Sequence, residues 1–291
     1  MPYSRLQRTI SRSVAVGGYG FWSGKHVQVE FRPAAAESGV TFVRDDLGDN
    51  ARVPARIEYR LDVPRRTNLR RGDVQVDMVE HIVAALAGLQ IDNCEVGVTA
   101  VEMPGCDGSA LAFVHALDRV GIHEQHEVVR QFEITETIRL VSGESWIEAR
   151  PGRHDEYRVE FQLDYPRDPV IGRQAVSIGV SPETFREDLA GCRTFVLERE
   201  ADAMVQRGLG VHVTPQDLLI FDKQGPIDNP LRFQNECARH KALDLIGDLA
   251  LTGCEIVGHI VAYRSSHHLN AALASELLTR FAATAPLKAS A

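Results

Sequence analysis

His81-Ile82-Val83-Ala84-Ala85-Leu86-Ala87-Gly88 has a counterpart in His240-Lys241-Ala242-Leu243-Asp244-Leu245-Ile246-Gly247. In each, a histidine opens a helical run rich in apolar residues that a glycine closes seven residues later. A strand-like stretch follows both times, Cys94-Glu95-Val96-Gly97-Val98 and Ile256-Val257-Gly258-His259-Ile260-Val261-Ala262-Tyr263. Small residues and another helical run come next, Asp107-Gly108-Ser109-Ala110-Leu111-Ala112-Phe113 against Ser265-Ser266-His267-His268-Leu269-Asn270-Ala271. Without a gap, His81 to Asp107 and His240 to Ser266 are the same distance. The chain reads as two copies of one helix–strand–helix unit, which would bring His81 and His240 across a single cleft. Chance likeness between two amphipathic helices is the plainer alternative, and one sequence does not separate the two. Strands precede helices in each half, so the fold expected is α+β, two similar sandwich domains formed by internal duplication and packed around a metal-containing cleft.

Residues four apart on a helix lie one turn above each other on the same face. His240 and Asp244 can therefore offer a nitrogen and an oxygen to one metal ion, and Asp248 continues the stripe. Alone, that spacing is common and usually marks a solvated or helix-capping histidine. The repeat adds His81 as a third ligand. Two histidines and a carboxylate leave a zinc position open for water, as in catalytic rather than structural sites. Glu80, next to His81, is placed to take that water's proton. The pattern is that of a metal-dependent hydrolase.

A chain of 291 residues can bury a sizeable core and fits two domains. The net charge of −8 argues against a nucleic-acid binder, because phosphate binding needs a basic surface. Arg65-Arg66 and Arg70-Arg71 are flanked by aspartates and read as solvated faces, or as a small anion-binding patch. The five cysteines, Cys94, Cys106, Cys192, Cys237 and Cys254, are odd in number and form no Cys-x-x-Cys. That suits a reducing compartment and argues against a cysteine zinc site or a disulfide framework. Met1-Pro2-Tyr3-Ser4-Arg5 lacks the apolar core of a signal peptide, and no stretch approaches the ~20 apolar residues of a membrane span. A cytoplasmic, monomeric protein is expected.

Alternation of Val27, Val29 and Phe31 with polar residues predicts a half-buried strand over His26–Phe31. A second strand is expected over Arg52–Arg60, with helices at Met78–Leu89 and Ser109–Val120. The polar, unperiodic Gly121–Glu127 is the expected boundary between domains 1–125 and 126–291. Beyond it, strands are expected at Glu133–Leu140, Trp146–Arg150 and Tyr157–Asp164. Helices fall at Pro182–Leu189, Glu198–Arg207, Cys237–Leu251 and Leu269–Phe281. Gly208–Asn229, punctuated by Gly and Pro, reads as an insertion lining a binding site.

Several segments together resemble one family across nearly the whole chain. They are Val79-Glu80-His81 through Gly88 with Ile91-Asp92-Asn93, Asp107-Gly108-Ser109-Ala110, Arg193-Thr194-Phe195, Leu231-Arg232-Phe233, Arg239-His240-Lys241-x-x-Asp244 with Ile246-Gly247-Asp248-Leu249, and Ser266-His267-x-Leu269-Asn270. Their order and spacing are similar to those of the UDP-3-O-acyl-N-acetylglucosamine deacetylases, zinc amidases of lipid A biosynthesis built from two similar α+β domains. The resemblance implies His81, His240 and Asp244 as zinc ligands, with Fe(II) an alternative in the cell, and Glu80 as the general base. It implies Thr194 as a hydroxyl stabilising the tetrahedral oxyanion. His267 matches a histidine acting as a cation beside the oxyanion or as the acid that protonates the leaving amine, with Asp248 as its orienting partner. Lys241 is expected to face the substrate's negative charge, and Asp164-Tyr165 match an acidic–aromatic pair near the nucleotide. The substrate implied is a UDP-linked acylated amino sugar.

Three segments depart from the family pattern. Gly20-Phe21-Trp22-Ser23-Gly24 stands where Gly-Leu-His is usual, Val211-His212-Val213-Thr214-Pro215-Gln216 replaces a Gly-Gly-Ser segment, and Ser265-Ser266 replaces Ser-Gly. None touches the proposed metal set. They keep open a paralogous zinc deacetylase acting on another N-acyl sugar. A non-catalytic metal-binding scaffold is the remaining alternative, and Glu80 argues against it because a structural site needs no base.

Overall fold

A computed structural model describes residues 5–48, 50–153 and 156–284. In the first half β1 (Leu6–Ile10) leads into β2 (Val14–Tyr19), β3 (His26–Pro33), β4 (Val40–Arg44) and β5 (Arg52–Pro54). A small sheet of β6 (Arg60–Leu61), β7 (Asn68–Arg71) and β8 (Val74–Val76) precedes α1 (Glu80–Gly88), β9 (Cys94–Val98) and α2 (Leu111–Val120). β10 (Ile122–Val128) then returns antiparallel to β1. The second half runs β11 (Gln131–Glu133), β12 (Ile138–Ser142), β13 (Ser145–Arg150), β14 (Tyr157–Tyr165) and β15 (Gly172–Gly179). A short α3 (Pro182–Thr184) opens into a π turn over Phe185–Leu189, followed by β16 (Phe195–Leu197), α4 (Glu198–Val205) and β17 (Leu219–Phe221). α5 (Glu236–Ala250), β18 (Glu255–Tyr263) and α6 (His267–Thr284) are the last elements among the described residues.

The two main sheets share one topology. The first is ordered β2-β3-β9-β4-β5, and β12-β13-β18-β14-β15 follows the same order in the second, with β11 added beside β18. In each, the late central strand pairs antiparallel with one neighbour and parallel with the other. Each central strand follows a histidine-bearing helix, α1 or α5, and precedes a further helix, α2 or α6. The architecture is α+β.

Alternation places Val27, Val29 and Phe31 of β3 inside, fully buried, as their spacing predicts. α1 is apolar nearly all round because it is buried along its length, packed against α5, α2 and the π turn. Gly247 permits the close approach of the two helices. A methyl group on it would stand 2.4 Å from the Glu80 carbonyl oxygen. Ile82, Leu86, Leu245 and Ile246 carry the core across the seam.

Some expected elements differ. Gly121–Glu127, expected as a polar, unperiodic boundary, holds a strand: Gly121 turns with φ 73° and the residues after it form β10. The expected strand Arg52–Arg60 stops at Pro54, which has no N–H to continue a ladder, and Ile57–Tyr59 is a 3-10 turn. Glu133–Leu140 is divided between β11 and β12, and Pro182–Leu189 is a single α turn followed by the π turn. Met78, expected in α1, has φ 60°, so the helix starts after it. Gly208–Asn229 contains β17, paired in parallel with β16.

Candidate active site

α1 and α5 present their histidines to each other where they pack. The rings of His81 and His240 meet edge to face with centroids 5.1 Å apart. Asp244, one turn after His240, places Oδ1 3.5 Å from His240 Nε2 and 3.6 Å from His81 Nε2. All three side chains are buried, and their ligand atoms lie within 4.8 Å of one another. Two atoms each bonded to one tetrahedral zinc stand roughly 3.4 Å apart, which these separations match. Among the described residues Asp244 Oδ1 is also a buried oxygen without a hydrogen-bond partner, a need that a cation would meet.

His240 could serve as a ligand. Its Nδ1 lies 3.0 Å from the Cys192 carbonyl, which fixes the proton on Nδ1 and leaves the Nε2 lone pair facing the cluster. Burial pushes its pKa down to about 4, which keeps the ring neutral. Burial opposes charge on Asp244 as well, but the Lys241 ammonium beside it holds its carboxyl well below the usual range. Lys241 turns inward to donate to Asp244 Oδ2 at 2.6 Å.

Glu80 occupies the first turn of α1, buried beside His81. Its Oε2 accepts the Thr67 N–H at 3.0 Å, and burial raises its pKa. Among the described residues, no hydrogen bond reaches Oε1. On the other side of the cluster, His267 begins α6 with Nε2 3.7 Å from Asp244 Oδ2 and Nδ1 2.8 Å from Asp248 Oδ2. Burial works against a charged His267, yet Asp248 prevails and lifts its pKa above the ordinary value. The adjacent His268 faces outward to Asp62. The structure thus brings Glu80, His81, His240, Asp244, Asp248 and His267 together.

Thr194 is half-buried on the segment that supplies the Cys192 carbonyl. Its N–H donates to the Gly108 carbonyl at 2.7 Å. Asp164 and Tyr165 end β14. Asp164 accepts from the Tyr263 hydroxyl and from Arg173, whereas the Tyr165 ring meets Phe195, which in turn meets His240 edge-on.

Sequence reasoning missed several supporting groups. Glu236, at the start of α5, is fully buried against Arg193 and also accepts the backbone N–H groups of Arg193 and Arg232. Asn270 donates to Asp248, and Thr67 touches Glu80, Asp248 and His267. Asn270 lies inside a motif that could have flagged it, but Thr67 carries no periodic or spacing signal. Two of the departing segments pack together. The Phe21 ring covers Gly105, His212 lies against Gly24, and Arg66 stacks 4.5 Å over Trp22.

The model of the UDP-3-O-acyl N-acetylglycosamine deacetylase family matches residues 7–279. The UDP-3-O-acyl-N-acetylglucosamine deacetylase of Brucella melitensis is 36% identical over 275 residues, covering 94% of this chain and 95% of that protein. The proteins of the same description from Brucella ovis and Brucella abortus have the same identity and coverage. A match of this extent, over a cluster of two histidines and an aspartate with a carboxylate beside it, shows that the chain belongs to the UDP-3-O-acyl N-acetylglycosamine deacetylase family.

Proposed function

We propose that this deacetylase removes the N-acetyl group from a UDP-3-O-acyl-N-acetylglucosamine in lipid A biosynthesis, using zinc held by His81, His240 and Asp244. Iron(II) suits the same ligands and is the alternative in the cell. The observation that carries the reading is the convergence of the three ligand atoms around an otherwise unpartnered Asp244 oxygen, with Glu80 adjacent. Zinc bound there would polarise the amide carbonyl and lower the pKa of water towards ~7.

The protein's own residues supply the proton traffic. Glu80 takes the attacking water's proton on Oε1 while Oε2 stays on the Thr67 N–H. His267, oriented through Nδ1 by Asp248, offers Nε2 as a cation beside the oxyanion or as the acid for the leaving amine. Thr194 supplies its hydroxyl to the tetrahedral oxyanion. Lys241 favours substrate negative charge at the same place, and Asp164 and Tyr165 receive the nucleotide, with the tyrosine ring as a stacking surface. The same reading takes residues 1–125 and 126–291 as two copies of one α+β unit, supported by the shared strand order. It sets the reaction in the cytoplasm, with a single chain acting alone. The free cysteines suit that compartment, and no helix among the described residues is long and apolar enough to cross a membrane.

Acetate release from UDP-3-O-acyl-N-acetylglucosamine, compared with other N-acetylated sugars, tests the substrate. Preferred release from the acylated UDP-sugar is expected. Release only from a different N-acyl sugar would favour a paralogous deacetylase, a reading that the packed Phe21, Trp22 and His212 keep in view.

A further inference from the structure

Thr67 stands one residue before β7, almost completely buried. Each of its polar atoms is engaged. The N–H donates to Glu80 Oε2 at 3.0 Å, and the carbonyl accepts the Val79 N–H at 3.0 Å, just before α1 begins. The hydroxyl donates to Asp248 Oδ1 at 2.6 Å and stands 3.3 Å from His267 Nδ1. A threonine hydroxyl has one proton, and the short contact with the carboxylate takes it. The Nδ1 proton of His267 therefore goes to Asp248 Oδ2, which Asn270 also reaches at 2.8 Å.

The consequence is directional. Rotation of a carboxylate about its terminal bond is broad, so an Asp248 held on one oxygen only can turn. Among the described residues, Thr67 is the donor that holds Oδ1. With both oxygens fixed, the plane of the carboxylate is set, and with it the ring of His267, whose Nε2 faces Asp244. Asp248 and His267 belong to the second half of the chain and Glu80 to the first, and Thr67 touches all three.

We infer that Thr67 is a positioning residue for deacetylation: its hydroxyl fixes the Asp248–His267 pair while its N–H aims the Glu80 carboxylate. This rests on the roles given above to Glu80 and His267.

Thr67→Val removes the hydroxyl and nearly keeps the shape, whereas Thr67→Ser keeps the hydroxyl. In the zinc-loaded protein, Thr67→Val is expected to lower kcat about 10- to 100-fold, a fraction of what acid–base catalysis supplies. KM should stay within about twofold, since no ground-state contact is lost. Metal content should be unchanged, and Thr67→Ser should restore most of kcat. Independently of turnover, the Nδ1 proton resonance of His267 in histidine-labelled protein should shift in the valine variant and not in the serine variant. Wild-type kcat in Thr67→Val, or equal losses in both variants, would overturn the inference. If Thr67→Val does not fold, Thr67→Cys, with its weak donor, carries the same comparison. A wild type inactive on the acylated UDP-sugar would instead refute the substrate assignment, and the variants are then compared on whichever N-acetylated sugar the wild type deacetylates.

Discussion

Glu80 is a carboxylate buried at the first turn of a helix, with one oxygen held and the other open. Its proposed role makes Glu80→Gln a sharp probe. The variant should fold and bind metal through the intact ligands while turnover drops by at least about 100-fold, the scale of a lost general base. Unchanged turnover would remove the base from the mechanism. The same substitution has a stability signature in the metal-free protein. Burial raises the Glu80 pKa, so folding favours the protonated form. That contribution is full below the unfolded-state value near ~4.3 and is lost as pH rises through the raised folded value. At neutral pH, metal-free Glu80→Gln should therefore melt above the wild type, with the gap closing in acid. Melting below the wild type at neutral pH would show that the carboxylate's charged form is the better accommodated. Glu236 answers a different question. Its removal strands the buried Arg193 guanidinium, at a cost of about 3–5 kcal/mol. Denaturant unfolding of Glu236→Ala checks this, and a loss below about 1 kcal/mol would mean that water reaches Arg193.

The helix pair α1 and α5 is the element that makes the site, because His81 stands on one helix and His240 with Asp244 on the other. Gly247 sets their separation. Alanine inside a helix normally stabilises by about 1 kcal/mol relative to glycine. Here the added methyl meets the Glu80 carbonyl, so Gly247→Ala should destabilise and should weaken metal affinity by parting the ligands. Calorimetric zinc titration beside thermal melting reads both, and a stabilised variant with normal affinity would contradict the close contact. These helices were legible in the sequence because His81 and His240 each open a run closed by glycine. The strand β10 was not. Its side chains are mostly exposed on both faces, so Ile122–Val128 lacks the alternation that marks a half-buried strand, and only pairing with β1 defines it. The break at Pro54 could have been read from proline alone, whereas the left-handed turn at Met78 depends on tertiary support from Asn68. In the site, His81, His240, Asp244, Asp248 and His267 announced themselves by spacing or motif. Thr67 and the Cys192 carbonyl did not, because a threonine between Arg66 and Asn68 and a backbone oxygen leave no trace in residue type.

Over the whole molecule, two sheets of one strand order carry their helices to a common seam, and neither half holds the whole candidate ligand set. Glu80 and His81 come from one half, and His240, Asp244 and His267 from the other. If the halves descend from one unit, superposing the two sheets should overlay α1 on α5 with His81 near His240. A helix pair that fails to overlay would argue for independent origins. The central claim is that this seam holds one catalytic metal. It is tested most directly by stripping the purified protein with a chelator and titrating zinc back while recording acetate release from UDP-3-O-acyl-N-acetylglucosamine. Release should be absent from the stripped protein, rise with added zinc and level off at about one zinc per chain, as a three-ligand catalytic site requires. Full release from the stripped protein, or no recovery of the untreated protein's release once one zinc is bound per chain, would contradict it.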